Sequence, residues 1–324
     1  MDFFSTKDSA TKQVALDLAL SVFMEYEAPD YPREGVEEFK RAMNDKEYVG
    51  LLSFYVAKEG NDIVGMLATR KEGHHVALLF VEGKWHRRGV GKRLLEYMVR
   101  DTKVDSLTVN SAPYAHEFYK KIGFVDVDGE QESNGIRYFP MRFDDCYSAI
   151  GEEMQSDRVL LRPWYGFDAK ALYKYASDPE VGPRAGWQPH RSIEESKCII
   201  KDVFGNDTTW AIVLKSTNEP IGTIGYMPIY DMNINHGEDE PLVGYWVGKP
   251  YWNQGICTEA LRLMLDKIRR DGKYKILYCS HYVDNPASGR VMVKCGFEYT
   301  GDTVVDSTLC VGEGKEMKVY RLSL

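Results

Sequence analysis

The sequence predicts a mixed α+β protein built from two copies of one domain, each a mostly antiparallel twisted sheet flanked by helices. Three observations predict it. The chain has 324 residues, enough for two domains of ordinary size. One succession of elements can be read twice: helices, an antiparallel meander, a crossover helix, a strand, a short helix and a closing hairpin. Two segments also echo each other: HRRGVGKRLL (86–95) matches WNQGICTEAL (252–261), and YKKIGF (119–124) matches MVKCGF (292–297). A repeat of this length means duplicated domains rather than a solenoid.

In the first copy, residues 10–25 and 34–44 carry helical patterns. Alternation predicts strands over 51–58, 62–70 and 74–81, the first two joined by the turn Glu59-Gly60-Asn61. A helix follows from Gly89 to about Arg100, with Val90, Leu94 and Met98 on one face. A strand at 105–110, a helix at 114–121 and strands near 123–127 and 136–142 complete this half. In the second copy, 159–164 is strand, and 167–177 and 192–204 are helix. Strands at 209–215, 219–226 and 241–247 follow, with Asn218 at a hairpin turn. A helix from Gly255 to about Arg270, a strand at 275–281, a helix at 286–295 and strands near 297–299 and 316–322 end the chain. The acidic stretch DDCYSAIGEEMQSD (144–157) lacks periodicity, so the boundaries are 1–145, a linker over 146–157, and 158–324. Gly89 to Gly123 is 34 residues and Gly255 to Gly296 is 41, which predicts a longer loop in the second copy.

Composition narrows the function classes. At 44% hydrophobic and 28% charged the chain reads as globular, and no run of eighteen apolar residues predicts a membrane span. The start, MDFFSTKDSATK, lacks the basic and apolar regions of a signal peptide. The six cysteines, Cys146, Cys198, Cys257, Cys279, Cys295 and Cys310, form no C-x-x-C pair, and no His cluster has metal spacing. They read as reduced, which fits a cytoplasmic location without a metal site. The net charge of −8 and the lack of a basic block disfavour nucleic acid. The same acidity suits a cationic substrate such as an amine.

The chemistry is concentrated at Arg87-Arg88-Gly89-Val90-Gly91-Lys92, which follows an apolar strand and opens an amphipathic helix. Glycines let the backbone turn tightly there, and the first N–H groups of a helix lack internal partners and sit at the positive end of its dipole. Such a loop binds phosphate, and Arg87, Arg88 and Lys92 add charge. The dinucleotide fingerprint fails because Leu94 stands where its third glycine belongs, and no P-loop pattern exists.

This loop, placed after an antiparallel meander, resembles the pyrophosphate-binding motif Q/R-x-x-G-x-G/A of the GNAT acyltransferase superfamily, with His86 departing at its first position. The likeness extends through LTVNSAPYAHEFYKKIGF (107–124). It implies that the fourth and fifth strands splay apart around the pantetheine arm of acetyl-coenzyme A. Backbone groups of Phe80 and Val81 would bond that arm, Asn110 would line it, and Tyr119 of Y-x-K-x-G-F would protonate the leaving thiolate. By residue type alone, Tyr119 also suits a core aromatic.

The second copy resembles the ribosomal-protein N-acetyltransferase (RimJ/RimL) subtype. Trp252-Asn253-Gln254-Gly255-Ile256-Cys257-Thr258-Glu259-Ala260 follows that subtype's W-G-x-G-[YI]-[AM]-T-E-A, and GYWV (244–247) its fourth strand. Val81 precedes Gly89 by eight residues and Val247 precedes Gly255 by eight, so the copies share a register. The resemblance assigns coenzyme contacts to Trp246, Val247, Asn253, Gln254, Gly255, Ile256, Cys257, Thr258, Asn285 and Ser288, with Ser288 also the acid. Cys257 departs from the pattern and could crowd the phosphates. Met292 stands where the first copy has Tyr119, and Leu242 where the subtype often carries Glu. Glu240, two residues upstream and on the same strand face, is the alternative base, or else part of a solvated acidic loop (237–240).

The implied reaction is direct acetyl transfer from acetyl-CoA to a primary amine, of a small molecule or a peptide N-terminus. Backbone N–H groups would hold the oxyanion, and no covalent intermediate is needed. Tyr26, Glu27, Trp187 and His190 fall in the helix-to-helix loops, where they either line the acceptor pocket or serve ordinary packing. The alternative is division of labour, with one domain catalytic and the other an acyl-CoA-binding or regulatory module. Two such domains in one chain are expected to pair as a pseudo-dimer, leaving the chain monomeric or homodimeric.

Overall fold

The computed structural model describes residues 1–146, 151–229, 237, 240–306 and 314–324. Cys310 and residues 147–150 of the expected linker lie outside them. The chain divides into two compact units, Met1–Ser148 with Tyr165–Phe167, and Ala149–Trp164 with Asp168–Leu324.

The first unit runs β1 (Asp2–Thr6), α1 (Ser9–Tyr26), α2 (Arg33–Asn44), α3 (Lys46–Gly50), β2 (Ser53–Glu59), β3 (Asp62–Arg70), β4 (His75–Val81), α4 (Val90–Thr102), β5 (Ser106–Ser111), α5 (Pro113–Ile122), β6 (Val125–Asp126), β7 (Gln131–Ser133) and β8 (Ile136–Asp144). Its strands are ordered β1-β2-β3-β4-β5-β8-β6, with β7 beside β8. All pairs are antiparallel except β4–β5. Alternation along β2–β4 sends Phe54, Val56, Met66, Leu78 and Phe80 to a core under α1 and α2. It sends Tyr55, Leu67 and Val76 to a second core with α4 and α5. The sheet is therefore covered on both faces.

The second unit runs β9 (Met154–Gln155), β10 (Val159–Arg162), α6 (Ala169–Ala176), α7 (Ile193–Asp202), β11 (Thr209–Leu214), β12 (Glu219–Met227), β13 (Leu242–Val247), α8 (Ile256–Asp271), β14 (Ile276–Tyr282), α9 (Pro286–Lys294), β15 (Glu298–Val305) and β16 (Glu316–Ser323). Its order, β9-β10-β11-β12-β13-β14-β16-β15, repeats that of the first unit with β9 added at the edge. Again only the β13–β14 pair is parallel. The buried pair Arg162–Asp168, at 2.7 Å and with both side chains 0% exposed, ties β10 to the turn entering α6.

The expected linker needs correction at its C-terminal end. Met154–Gln155 is an edge strand on β10, and the Glu152 carbonyl accepts the indole N–H of buried Trp210. The longer second copy is also not explained by a loop alone, since α8 has 16 residues where α4 has 13.

Candidate functional site

The parallel pair is where each sheet opens. In the first unit, β4 meets β5 only at His75–Thr108 and Val76–Val109, although both strands continue. In the second, contact is confined to Leu242–Tyr278 and Val243–Cys279. Beyond these points the facing edges separate, leaving a slot in each sheet with backbone polar groups along its wall.

Register decides which groups those are. The pairing of β3 with β4 shifts between Ala68 and Thr69, so Ala77 is a bulge. Beyond it, Glu82 N donates to Val64 O at 2.9 Å, and the antiparallel alternation makes Met66 and Phe80 a bonded pair. Leu79 and Val81 then turn their amides to the slot. In the second unit Gly248 N donates to Ile221 O at 2.8 Å, so Trp246 bonds Thr223, and Tyr245 and Val247 face the slot. The expected backbone contacts of Phe80 and Trp246 are thus corrected to Leu79 and Tyr245, while Val81 and Val247 keep their positions. One further feature recurs. His86 Nε2 donates to Val81 O at 2.7 Å, and Trp252 Nε1 donates to Val247 O at 2.8 Å. The residue that departs from the motif at 86 therefore does the work of its counterpart at 252, fixing the carbonyl that ends the strand.

Both glycine loops adopt the same backbone. Arg87 and Asn253 have φ of 60°, and Gly89 and Gly255 have φ of 78°. Alternating left-handed residues turn successive N–H groups into one concavity. Arg93 N donates to Gly89 O and Glu259 N to Gly255 O, both at 3.0 Å, so Val90, Gly91 and Lys92, like Ile256, Cys257 and Thr258, precede the first intrahelical bond. The side chains of Val90 and Ile256 are buried, so these residues offer only backbone to a ligand.

The charges differ between the loops. Arg87 and Arg88 are exposed, with Arg88 lying over Trp85. Lys92 is a correction: its ammonium pairs at 3.4 Å with Glu96, a fully buried carboxylate that Arg93 also contacts. Burying Glu96 requires such cations, so the Lys92 side chain serves the helix. In the second loop, Asn253 and Gln254 are neutral, and Gln254 bonds Pro250 O. Arg158 reaches this loop but is held by Glu259, which also accepts from Ser156. The Cys257 side chain is half-buried and packs against the core, and burial raises its thiol to about 12, so it is neutral. Thr258 is buried.

In the first unit the slot opens into a cavity of about 650 Å³ lined by Leu79, Phe80, Val109, Asn110, Tyr119 and Glu27, with aromatic residues of α1 and α2 on its far side. Tyr119 is 3% exposed. Burial, and then the charge of nearby Glu27, hold its hydroxyl protonated well above the ordinary tyrosine range. Burial pushes the Glu27 carboxyl up to about 7. The sequence places Glu27 in a helix-to-helix loop, as either a pocket-lining or a packing residue. Glu27 is half-buried at the end of α1, where Phe23 and Tyr31 stack on each other, a tertiary arrangement that no local pattern shows.

The second unit does not bring its expected acid and base together. Ser288 Oγ donates to Tyr245 Oη at 3.1 Å, and that hydroxyl donates to Ser288 O at 2.8 Å, so the serine proton is engaged. Glu240 accepts from Gly237 N at 2.7 Å and lies beside Tyr278, at the paired end of β13. The strand is about 16 Å long, so Glu240 is remote from the slot at Val247. This removes it as the base. Asn285 donates to Arg184 O, and Met292 is fully buried core. Among the described residues, no His, Cys, Asp and Glu group could hold a metal, and no helix is long and apolar enough to cross a membrane.

Comparison with known proteins agrees with this duplicated architecture. Two profiles, each described as acetyltransferase (GNAT) domain, match residues 27–144 and 158–298. The chain is a tandem member of the GNAT acetyltransferase family. It is 30% identical over 120 residues to the uncharacterized N-acetyltransferase p20 of Bacillus licheniformis, covering 36% of this chain and 65% of that protein. It is 28% identical over 158 residues to the uncharacterized N-acetyltransferase YoaA of Bacillus subtilis, covering 46% of this chain and 84% of that protein. It is 29% identical over 84 residues to the ribosomal-protein-serine acetyltransferase of Escherichia coli, covering 26% and 44%. The chain therefore spans just under two thirds of p20 and less than half of the ribosomal-protein enzyme.

Proposed function

We propose that this chain transfers an acetyl group from acetyl-CoA to a primary amine, with the first domain catalytic and the second a coenzyme-binding module of the ribosomal-protein acetyltransferase type. The observation that carries this reading is that Glu27, Tyr119 and the open edge of β4 line one cavity. The glycine loops suit a pyrophosphate through their N–H groups, and the first loop adds the exposed Arg87 and Arg88.

In the first domain, Glu27 takes a proton from the incoming amine. A carboxyl with a pKa about 7 is matched to that task at neutral pH. The amine lone pair attacks the thioester carbonyl, and slot-facing N–H groups of β4 stabilise the oxyanion, worth about 3–4 kcal/mol per donor in other acyl-transfer enzymes. When the intermediate collapses, the C–S bond breaks and Tyr119 donates its proton to sulfur. Proton uptake by Glu27 also removes the negative charge that opposes ionisation of Tyr119. The two transfers therefore assist each other. The second domain has the loop and slot without this pair. The five cysteines described are free thiols, which supports placing the enzyme in the cytosol.

The test is thiol release from acetyl-CoA across an amine panel, with binding followed separately by calorimetry. Tyr119→Phe and Glu27→Gln are expected to bind acetyl-CoA like the parent and lose turnover. Unchanged turnover in both variants would overturn the catalytic assignment.

A further inference from the structure

The cavity beside Tyr119 also carries information about the acceptor. Its far wall is a ladder of rings. Tyr31 stacks near Phe23 with centroids 5.8 Å apart, Phe23 stacks on Phe39 at 3.9 Å, and Phe39 meets Phe80 edge-on at 5.7 Å. These side chains come from α1, the turn after it, α2 and β4, and they present apolar faces and edges to the space.

The charges on this wall are nearly all committed elsewhere. Glu38 pairs with Arg41 at 2.5 Å, and Asp45 accepts from Glu47 N and Tyr48 N at the start of α3. Arg137 pairs with Glu130 and donates to Asp30 O. Tyr31 Oη donates to Arg137 O. Among the described residues, the lining carboxylates for which no ion pair is found are Glu27 and Asp45; Asp45 is taken up in capping α3, which leaves Glu27, near both Tyr31 and Tyr119. One uncompensated acid at the inner end of an aromatic wall is complementary to a ligand with one cation on an apolar, planar body. A second cation would meet only carboxylates that are already neutralised or capping a helix, and would leave water without a replacement partner.

Building on the catalytic reading above, we propose that the first domain acetylates a monocationic primary amine joined to an aromatic ring by a short aliphatic arm, with its nitrogen at Glu27 and its ring against Phe39 and Tyr31. The balance of the step is that of the parent reaction. The new C–N bond replaces the C–S bond, the amine proton passes to Glu27, sulfur takes the Tyr119 proton, and amide and free thiol leave. An amine that enters as ammonium releases one further proton to solvent.

The experiment uses the full chain with acetyl-CoA and four probes: 2-phenylethylamine, ethylamine, spermidine and a short peptide with a free N-terminus. The expected result is a kcat/KM for 2-phenylethylamine at least about tenfold above each of the others, the size of effect a well-filled apolar pocket supplies. Phe39→Leu should raise KM for 2-phenylethylamine about tenfold more than it raises KM for ethylamine. A second measurement does not depend on that core variant. Glu27→Gln should lose calorimetric binding of 2-phenylethylamine in the presence of CoA and keep binding of neutral 2-phenylethanol. Preference for spermidine or the peptide, or equal loss of both phenyl ligands in Glu27→Gln, would overturn the acceptor assignment while leaving acetyl transfer intact. Absence of acetyl-CoA binding, or of turnover with every amine, would overturn the catalytic reading itself.

Discussion

Replacing Glu27 with Gln separates what the half-buried carboxyl does for catalysis from what it costs the fold. The folded-state pKa is raised from the ordinary 4.5 to about 7. The native state therefore holds a proton that the unfolded chain releases between these values, and stability falls as pH rises through that window. The penalty is absent below about pH 4.5 and complete above about pH 7. At 1.36 kcal/mol per tenfold change it amounts to about 3 kcal/mol. Gln resembles the protonated acid, so Glu27→Gln should gain less than about 1 kcal/mol at pH 5 and about 3 kcal/mol at pH 8. Hydrogen exchange of peptides from β2–β4 reads this for the first domain without assuming that both domains unfold together. The same variant should lose about 10²–10⁴ in kcat/KM, the contribution typical of a positioned base. The parent's kcat/KM should fall below pH 7 as Glu27 protonates, and the variant should lack this limb. Equal exchange at pH 8, with turnover within about threefold of the parent, would refute both the burial argument and the catalytic role.

Other outcomes follow from the same geometry. Tyr119→Phe should lower kcat about 10²-fold and leave acetyl-CoA affinity unchanged by calorimetry, because it removes only the proton donor. Lys92→Ala should destabilise the first domain by leaving the buried Glu96 with one cation fewer, yet shift acetyl-CoA affinity by less than about threefold. A large affinity loss at full stability would return Lys92 to the phosphate loop. Asp168→Ala should cost the second domain about 3–5 kcal/mol in denaturant unfolding, because it strands the fully buried Arg162 guanidinium.

Much of the fold was legible because its signals are local. The meander strands alternate, the crossover helices carry apolar stripes, and the turn residues Gly60 and Asn218 take the positive φ that their hairpins need. Four elements were missed, among them β7, a three-residue strand that exists only by pairing with β8. DFFST at the N-terminus, the five-residue α3 and the two-residue β9 are too short to show a period, and their strands or packing exist only through pairing with distant residues. In the site, the glycine loops were legible from spacing, and Tyr119 only through the family resemblance of its segment. Amide direction was not, because the bulge at Ala77 changes which residues face the slot and depends on pairing with β3. Nor did residue type reveal that Lys92 would turn to Glu96, or that Glu240 would sit at the closed end of β13. Glu27 was visible as one of four loop residues that either line the acceptor pocket or serve ordinary packing, with nothing to mark it as a base.

The claim that rests on all of this is that chemistry belongs to the first domain while both loops hold coenzyme. Thiol release by the Gly89→Glu chain tests it most directly, since that change sets a carboxylate where the phosphates of the first site would lie. The account predicts turnover at background level for Gly89→Glu, and retained turnover for the matching Gly255→Glu chain. Undiminished turnover in Gly89→Glu would contradict it.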